Sequence, residues 1–240
     1  MEAAARLRDR LAPHVRELPG IPVVLDPVDY AWDPHRKYLE RYGGLGARAL
    51  WLGMNPGPWG MAQTGVPFGA VNRVRGFLGI TGEVRQPELV HPRRPIQGFA
   101  CERVEVSGDR LWGTVEAVCK RPEVFFAEHL ILNYCPLVWQ AESGANLTPD
   151  KLPREVVGPV LEACDAHLVE VLQILRPSIV IGVGAWAERR ARLACEPHLP
   201  GIRVARLLHP SPASPAANRG WAEAATETLR TLSHPLPPGW

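Results

Sequence analysis

Short apolar runs alternate along this chain with longer segments of helical periodicity, and this alternation limits the possible folds more than any other feature. The four strand-like runs are residues 47–52, 129–134, 178–183 and 204–208. The clearest helical pattern spans 154–175, where apolar residues recur at helical spacing before Pro177. Alternating strands and helices favour an α/β fold with a largely parallel sheet between helices.

The 240 residues are predicted to form one domain, residues 1–240. A hydrophobic content of 46% can bury a sizeable core, and 22 Gly with 25 Pro are too few for a low-complexity chain. Residues 1–20 are charged throughout and lack the apolar core of a signal peptide, so a short helix is expected there. Further helices are predicted at 186–195 and 216–232, and a long exposed loop at 82–98.

The five cysteines are an odd number, lie far apart and form no C-x-x-C pair. This argues against a disulfide scaffold, a zinc knuckle and an iron–sulfur cluster. We therefore expect a protein that is not secreted, located in the cytoplasm or, in a eukaryote, in the nucleus. The 27 basic and 25 acidic residues nearly balance, so a nucleic acid or a membrane would have to bind a local patch. The excess of Arg over Lys fits either phosphate binding or biased codon usage.

Residues 49–72 contain no charged side chain, although a chain that is 22% charged would place about five among them. Three prolines and five glycines within this segment break any membrane-spanning helix and predict a loop. A neutral loop with the amides of Asn55 and Gln63 and the flat rings of Trp59 and Phe68 suits an uncharged planar ligand. The alternative is a tight strand-to-helix connection that covers the core.

Ligands of parallel sheets bind beyond the carboxyl ends of the strands, so the residues at those ends are the candidates for a site. Asn133 ends one apolar run, where its amide needs a partner; a core Asn with satisfied hydrogen bonds is the alternative. His209 follows another run and is either a functional side chain or part of a capped turn. The segment 203–219 holds three arginines and no acid, which predicts a local basic patch for phosphates.

The sequence Gly182-Val-Gly184-Ala-Trp-Ala187 matches a dinucleotide-binding fingerprint between a strand and a helix. The acidic residue expected about 20 positions later is missing, and Arg203 and Arg206 stand in that region instead. Tight packing of the helix on the strand explains both glycines without a nucleotide. A nucleotide-dependent oxidoreductase therefore remains only as an alternative.

Three segments carry a resemblance to a known family: GMNPGPWGMAQTGVPFG, NYCPL and HPSPASPAANRGW, in that order and each after a predicted strand. Together with YAWDPHRKYLERY, EVSG, PEVFF and NLTP, they resemble the single-strand-selective monofunctional uracil-DNA glycosylases of the uracil-DNA glycosylase superfamily. The resemblance implies a three-layer α/β/α sandwich with a central four-stranded, mostly parallel sheet. It also implies a monofunctional hydrolase that excises uracil from DNA with no cofactor and no metal.

The resemblance assigns the water-positioning and catalytic roles to Asn55 and His209, base stacking to Phe68 and uracil recognition to Asn133. These roles agree with the chemistry, because cleavage of an N-glycosidic bond places negative charge on the departing base. His209 can donate a hydrogen bond to uracil O2. The Asn55 amide cannot accept a proton near neutral pH and can only hold the water. Asn133 offers an acceptor to uracil N3–H and a donor to O4.

The resemblance also implies a wall around C5 of the base, formed by Gly57 and Met61, that admits oxidised thymines such as 5-hydroxymethyluracil. It further implies a wedge that fills the gap left by a flipped base. The predicted DNA-binding residues of this wedge are Pro210, Ser211, Pro212, Ala213, Ser214 and Arg219. Animal members of the family read HPSPRNP where this chain reads HPSPASP, so Ala213 removes a cation from the wedge.

DNA, single-stranded or double-stranded and containing uracil, is therefore the expected partner of a monomer that does not bind membranes. A non-catalytic binder of damaged or single-stranded nucleic acid is the main alternative. Such a binder would need the basic patch and Phe68 but not His209. The order of preference among uracil, 5-hydroxymethyluracil and deaminated purines, and between single-stranded and duplex DNA, stays open at this point.

Overall fold

The computed structural model describes residues 1–44 and 46–232; the last eight residues of the predicted domain and residue 45 lie outside the described residues. The strands in the described part are β1 (Val23–Leu25), β2 (Ala49–Gly53), β3 (His129–Asn133), β4 (Val138–Gln140), β5 (Asn146–Leu147), β6 (Ile179–Val183) and β7 (Arg203–Leu207). The helices are α1 (Glu2–Leu11), α2 (Pro27–Tyr30), α3 (Trp32–Tyr42), α4 (Met61–Thr64), α5 (Val71–Gly76), α6 (Val106–Cys119), α7 (Pro122–Phe126), α8 (Arg154–Leu175), α9 (Ala185–His198), α10 (Pro215–Asn218) and α11 (Trp221–Thr231).

The central sheet contains four parallel strands in the order β3-β2-β6-β7. Each corresponds to one of the four apolar runs, shifted by two residues at most at either end. Strands β2 and β6 are buried along their whole length, as expected for strands covered by helices on both faces. One group of helices contains α1, α8 and α9, and another contains α5, α6, α7 and α11. The predicted α/β/α class with a central parallel sheet is confirmed.

A second, antiparallel sheet joins β1, β4 and β5 and was not predicted from the sequence. Its strands are two or three residues long, too short to show a period. The segment 82–98 is irregular, as predicted, but His91 and Ile96 within it are buried. The predicted exposed loop is thus buried at these points, because Ile96 packs into a small apolar cluster with residues of β1 and β4.

The predicted helix 216–232 is in fact two helices, α10 and α11. Gly220 has a φ of +144°, a conformation that an L-residue rarely adopts and that cannot continue an α-helix. Trp221 then turns inward and donates its indole N–H to the carbonyl oxygen of Leu208 over 2.7 Å. This turn anchors the segment after β7, where His209 lies.

Packing explains Gly182 of the nucleotide-like motif, whereas Gly184 has a φ of +97°, a conformation that favours glycine. A Cβ atom at Gly182 would collide with the backbone N of Glu188 and lie 2.9 Å from the carbonyl carbon of Ala187. The start of α9 therefore lies directly on β6, as the packing interpretation predicted. None of the helices in residues 1–44 and 46–232 combines the length and apolar character needed to span a membrane.

Candidate active site

The candidate site lies at the carboxyl end of β2, where Gly53 is paired in register with Asn133 of β3. A Cβ atom at Gly53 would collide with Oδ1 of Asn133 and lie 2.7 Å from Cε2 of Phe68. The missing side chain thus leaves room for both groups at one point. The structure brings Asn133 and Phe68 together although they are 65 positions apart in the sequence.

Phe68 has a left-handed backbone, with φ at 53°, which is unfavourable for a residue other than glycine. Helix α6 holds this conformation. Its Gly108 leaves room for the Phe68 carbonyl group, because a Cβ there would collide with the carbonyl oxygen and lie 2.9 Å from the carbonyl carbon. Trp112 of the same helix donates its indole N–H to the Pro67 carbonyl oxygen over 3.1 Å. Backbone strain held by surrounding contacts is typical of functional sites.

His209 is the second residue beyond the carboxyl end of β7. Its ring centroid lies 6.1 Å from that of Phe68. The backbone N–H of Ser211 donates to its Nδ1 over 3.1 Å. Burial lowers the pKa of His209 below its ordinary value of 6.5, so the ring is neutral at neutral pH. A neutral imidazole carries one proton, which must therefore be on Nε2. The ring is a hydrogen-bond donor through Nε2.

The Asn133 side chain is half-buried, and its Nδ2 donates to Sδ of Met61 over 3.2 Å. A thioether is a weak acceptor, and no other described group is hydrogen-bonded to this amide. The alternative of a core Asn with satisfied hydrogen bonds is therefore not favoured. Met61 and Asn133 also line an apolar cavity that continues between α1, α3 and α8.

Asn55 follows β2 by two residues, in a segment fixed to neighbouring backbone. Tyr134 and Cys135 donate their N–H groups to the carbonyl oxygens of Gly53 and Met54, which extends the pairing of β2 with β3 beyond the strands. Nδ2 of Asn55 lies 3.5 Å from the carbonyl oxygens of Leu137 and Leu147, a long distance for a hydrogen bond. Its amide is thus oriented by weak contacts from the small sheet.

Glu105, immediately before α6, supports the loop that follows Asn55. Its Oε2 accepts the backbone N–H of Trp59 over 3.1 Å. A Cβ at Gly57 would collide with this oxygen and lie 2.6 Å from the Glu105 Cδ, so the carboxylate fills the space of a side chain at residue 57. Burial raises the pKa of Glu105. Sequence reasoning missed this residue, although it begins the EVSG segment that contributed to the resemblance.

Two expectations about the charge-free segment were wrong. Beyond the predicted strand it is not a continuous loop, since it contains α4, and Gln63 does not face a ligand. Gln63 is fully buried, donates to the carbonyl oxygens of Pro58 and Pro95 and accepts the N–H groups of Gln97 and Gly98. Three of these four bonds, those with Pro95, Gln97 and Gly98, tie the loop to the segment 82–98. The Trp59 ring is covered by the guanidinium groups of Arg94 and Arg103.

The predicted wedge is held by Arg110 of α6. Its guanidinium group donates to the Pro210 carbonyl oxygen over 3.2 Å and to Oδ1 of Asn218 over 2.9 Å. Nδ2 of Asn218 donates in turn to the carbonyl oxygen of Pro212 over 2.8 Å, and Ser214 caps α10 by accepting the Ala217 N–H. The exposed residues of this loop are Pro212, Ala213, Pro215, Asn218 and Arg219, and Ser211 and Ser214 are half-buried.

The prediction that the arginines of residues 203–219 form a single basic patch was wrong. Arg203, at the start of β7, donates to the carbonyl oxygen of Leu232 over 2.7 Å. Arg206 lies 3.7 Å from a carboxylate oxygen of Glu188. Arg203 begins β7, whereas Arg219 follows α10 beyond the opposite end of that strand. No cluster of three metal-binding side chains occurs in residues 1–44 and 46–232.

Comparisons with known proteins identify the family. The family model described as the uracil DNA glycosylase superfamily matches residues 40–231. A single-strand selective monofunctional uracil-DNA glycosylase from Rattus norvegicus is 51% identical over 210 residues, which are 88% of this chain and 76% of the relative. The protein of that name from Bos taurus is 48% identical over 233 residues, 97% of this chain and 85% of the relative. The chain belongs to the single-strand selective monofunctional uracil-DNA glycosylase family.

Membership of this family confirms the resemblance that the motifs indicated. A solved structure, wild-type SMUG2 of Pedobacter heparinus, superposes with a TM-score of 0.64 over 94% of this chain and 96% of that one. Its sequence is only 17% identical, so this likeness concerns the fold alone. The site residues that the sequence predicts lie within residues 40–231, the region that the family model covers.

Proposed function

We propose that this chain flips uracil out of DNA and hydrolyses its N-glycosidic bond, leaving an abasic site. The observation that carries the proposal is that three side chains come together: Asn133 and Phe68 meet at Gly53, and the ring of His209 lies beside that of Phe68. An aromatic ring, a half-buried amide and a neutral imidazole come from Phe68, Asn133 and His209. A flat ring to stack on, an amide to read the base edge and an N–H donor are the groups that uracil excision needs.

His209 is proposed to stabilise the leaving group. Bond cleavage pushes an electron pair onto the base, and the charge is shared by its carbonyl oxygens. Because Nδ1 already accepts the N–H of Ser211, the Nε2–H is available to donate to uracil O2. A donor already oriented before the reaction stabilises charge more than water does, since it does not reorganise.

Asn55 is proposed to hold the water that adds to the sugar. An amide cannot remove a proton from water near neutral pH, so the water attacks a sugar that has already developed oxocarbenium character. The amide group is free to take part, because its two contacts with backbone carbonyl oxygens are 3.5 Å long. In this mechanism, leaving-group stabilisation supplies most of the rate.

Asn133 is proposed to select uracil. Its Oδ1 would accept the uracil N3–H and its Nδ2 would donate to O4, whereas cytosine presents an acceptor and a donor in the opposite arrangement. The only hydrogen bond of this amide in the described residues is to Met61. Because a bond to a thioether is weak, little is lost when the amide binds the base instead. Gly57 and Met61 would form the wall near C5, and 5-hydroxymethyluracil is proposed as a second substrate.

The loop from Pro210 to Arg219, which is buried at Pro210 and exposed around Pro212 and Ala213, is proposed to fill the gap that the flipped base leaves. Flipping costs a few kcal/mol, and less for an unpaired base, so single-stranded DNA is the easier substrate. We also propose that the chain acts as a monomer, without cofactor or metal, in the cytoplasm or nucleus. Non-catalytic binding of damaged DNA is the competing function.

The test is release of labelled uracil from a single-stranded oligonucleotide in the presence of EDTA, followed by alkaline cleavage of the abasic product. We expect free uracil and an intact strand before alkali. Asn133→Ala should reduce release of uracil, while Arg121→Ala, an exposed change at the far end of α6, should not. Tight binding without uracil release would favour the non-catalytic binder, and loss of activity in EDTA would exclude the metal-free mechanism.

A further inference from the structure

Two arginines lie over one aromatic ring at the edge of the site. The guanidinium carbon of Arg103 is 4.5 Å from the ring centroid of Trp59, and that of Arg94 is 5.0 Å from it. Both distances are within the range of cation–π attraction. Arg103 is exposed, and Arg94 and Trp59 are half-buried, so these cations can reach a ligand from solvent.

Neither guanidinium group is paired with a carboxylate in the described residues. Elsewhere in the chain, Arg73 pairs with Asp109 and Glu116, and Arg190 pairs with Asp165. Nε of Arg94 donates to the carbonyl oxygen of Gly144 over 2.8 Å, which fixes this side chain but leaves its charge uncompensated. Two cations at one ring are close enough to repel each other, because dissolved ions screen the repulsion of exposed charges only beyond about 10 Å. An anion bound between them would remove this repulsion.

The ring that carries these cations is part of the proposed active-site loop. Trp59 is two residues from Gly57 and four from Asn55, and its backbone N–H is fixed by Glu105. A nucleotide flipped into the site remains attached to its strand through the phosphates on either side. The strand must therefore leave the pocket across its edge, and this loop forms part of that edge.

We propose that Arg94 and Arg103, held on Trp59, bind a phosphate of the uracil-containing strand outside the base pocket. This inference rests on the proposed function. Guanidinium groups present planar N–H pairs that match phosphate oxygens, and the indole restricts their orientations before DNA arrives. The phosphate contact would be independent of base sequence and would position the strand, while Asn133 selects the base.

The first experiment measures dissociation constants for a single-stranded oligonucleotide without uracil at several salt concentrations. For Arg94→Ala/Arg103→Ala we expect roughly tenfold weaker binding and a log-log salt slope smaller by about 0.7, the value for one phosphate of a single strand. Arg121→Ala removes one exposed charge between α6 and α7, beyond the end of α6 that is far from Trp59, and should change neither quantity. Arg103→Ala alone, which breaks no hydrogen bond of that side chain in the described residues, should show part of the loss. An unchanged salt slope in both variants would overturn the proposal.

The second experiment locates the phosphate. Each phosphate in turn is replaced with an uncharged methylphosphonate, and binding is compared between the parent and the double variant. We expect one position next to the uracil at which the parent loses affinity and the double variant does not. Equal losses at every position would mean a diffuse electrostatic effect and would overturn the site. Because neither experiment measures cleavage, failure of the parent to release uracil would count against the proposed function alone.

Discussion

Ser211 determines which nitrogen of His209 carries the proton, because its backbone N–H donates to Nδ1 over 3.1 Å. Burial lowers the pKa of the same ring, so it stays neutral at neutral pH. The loop beyond β7 thus acts on His209 directly: its exposed part contains the predicted wedge, and its first turn orients the imidazole. Any change that moves Ser211 should therefore affect cleavage as well as DNA binding.

Removal of the imidazole should mainly slow cleavage. We expect His209→Ala to cost about 3 kcal/mol or more of transition-state stabilisation, the scale for loss of one oriented donor to a developing anion. Single-turnover rates at saturating enzyme, with binding of uracil-containing DNA measured separately, separate chemistry from affinity. A rate within threefold of the parent would contradict the role of Nε2.

The pH dependence follows from the lowered pKa of His209. Since burial disfavours the charged ring, its protonation requires a pH below the ordinary value of 6.5. In the charged ring Nδ1 also carries a proton, so two donors, Nδ1–H and the Ser211 N–H, would face each other. The hydrogen bond that orients the ring would then be lost. We expect single-turnover rates to stay flat from pH 8 through about 6.5 and to fall only at lower pH. A fall centred at or above 6.5 would contradict this assignment; circular dichroism at each pH checks that the protein stays folded.

A side chain at residue 57 should conflict with Glu105. In Gly57→Ala the new methyl group would lie 2.6 Å from the Glu105 Cδ, so the loop beside Asn55 must shift. We expect lower activity, with 5-hydroxymethyluracil affected more than uracil because the shifted wall narrows the space at C5. Shortening the neighbour in Gly57→Ala/Glu105→Ala should restore part of the activity if the collision is the cause.

The control for this pair is Glu105→Gln, which keeps the length of the side chain and an acceptor for the Trp59 N–H. It should retain the parental ratio of the two substrates, whereas Glu105→Ala should alter the ratio. Rates are compared at saturating enzyme for both bases in the same oligonucleotide. Equal ratios in the parent and all four variants would mean that Glu105 and Gly57 do not shape the wall.

An arginine at residue 213 should strengthen the hold on duplex DNA. Ala213 is exposed, and its backbone N–H donates to Oγ of Ser211 over 3.1 Å. Its methyl group is too small to fill the gap that a flipped base leaves. We expect Ala213→Arg to tighten binding to duplex with an abasic site and to steepen its log-log salt slope by about one. Single-stranded DNA should respond less, since it needs no gap filling. An unchanged duplex slope would place this residue away from the DNA.

Several of the proposed site residues could be found from the sequence because the signals are local. Asn133 and His209 stand where apolar runs end, and the parallel sheet brings such ends to one edge. Gln63 and Trp59 show the limit of this reasoning. Both belong to the same charge-free segment as Phe68. Yet the Gln63 amide binds backbone groups of the segment 82–98, and the Trp59 ring contacts Arg94 of that segment and Arg103.

The sequence alone determined the four parallel strands, helix α8 and the segments that hold the proposed site, since apolar runs and helical periods are properties of neighbouring residues. The tertiary structure decided the rest. It places Glu105 in contact with Gly57 and both Arg94 and Arg103 over the ring of Trp59. It also places Arg203 at the start of β7 and Arg219 beyond the opposite end of that strand. These are contacts between segments distant in the chain, so they depend on how the elements pack, and no period in the sequence encodes them.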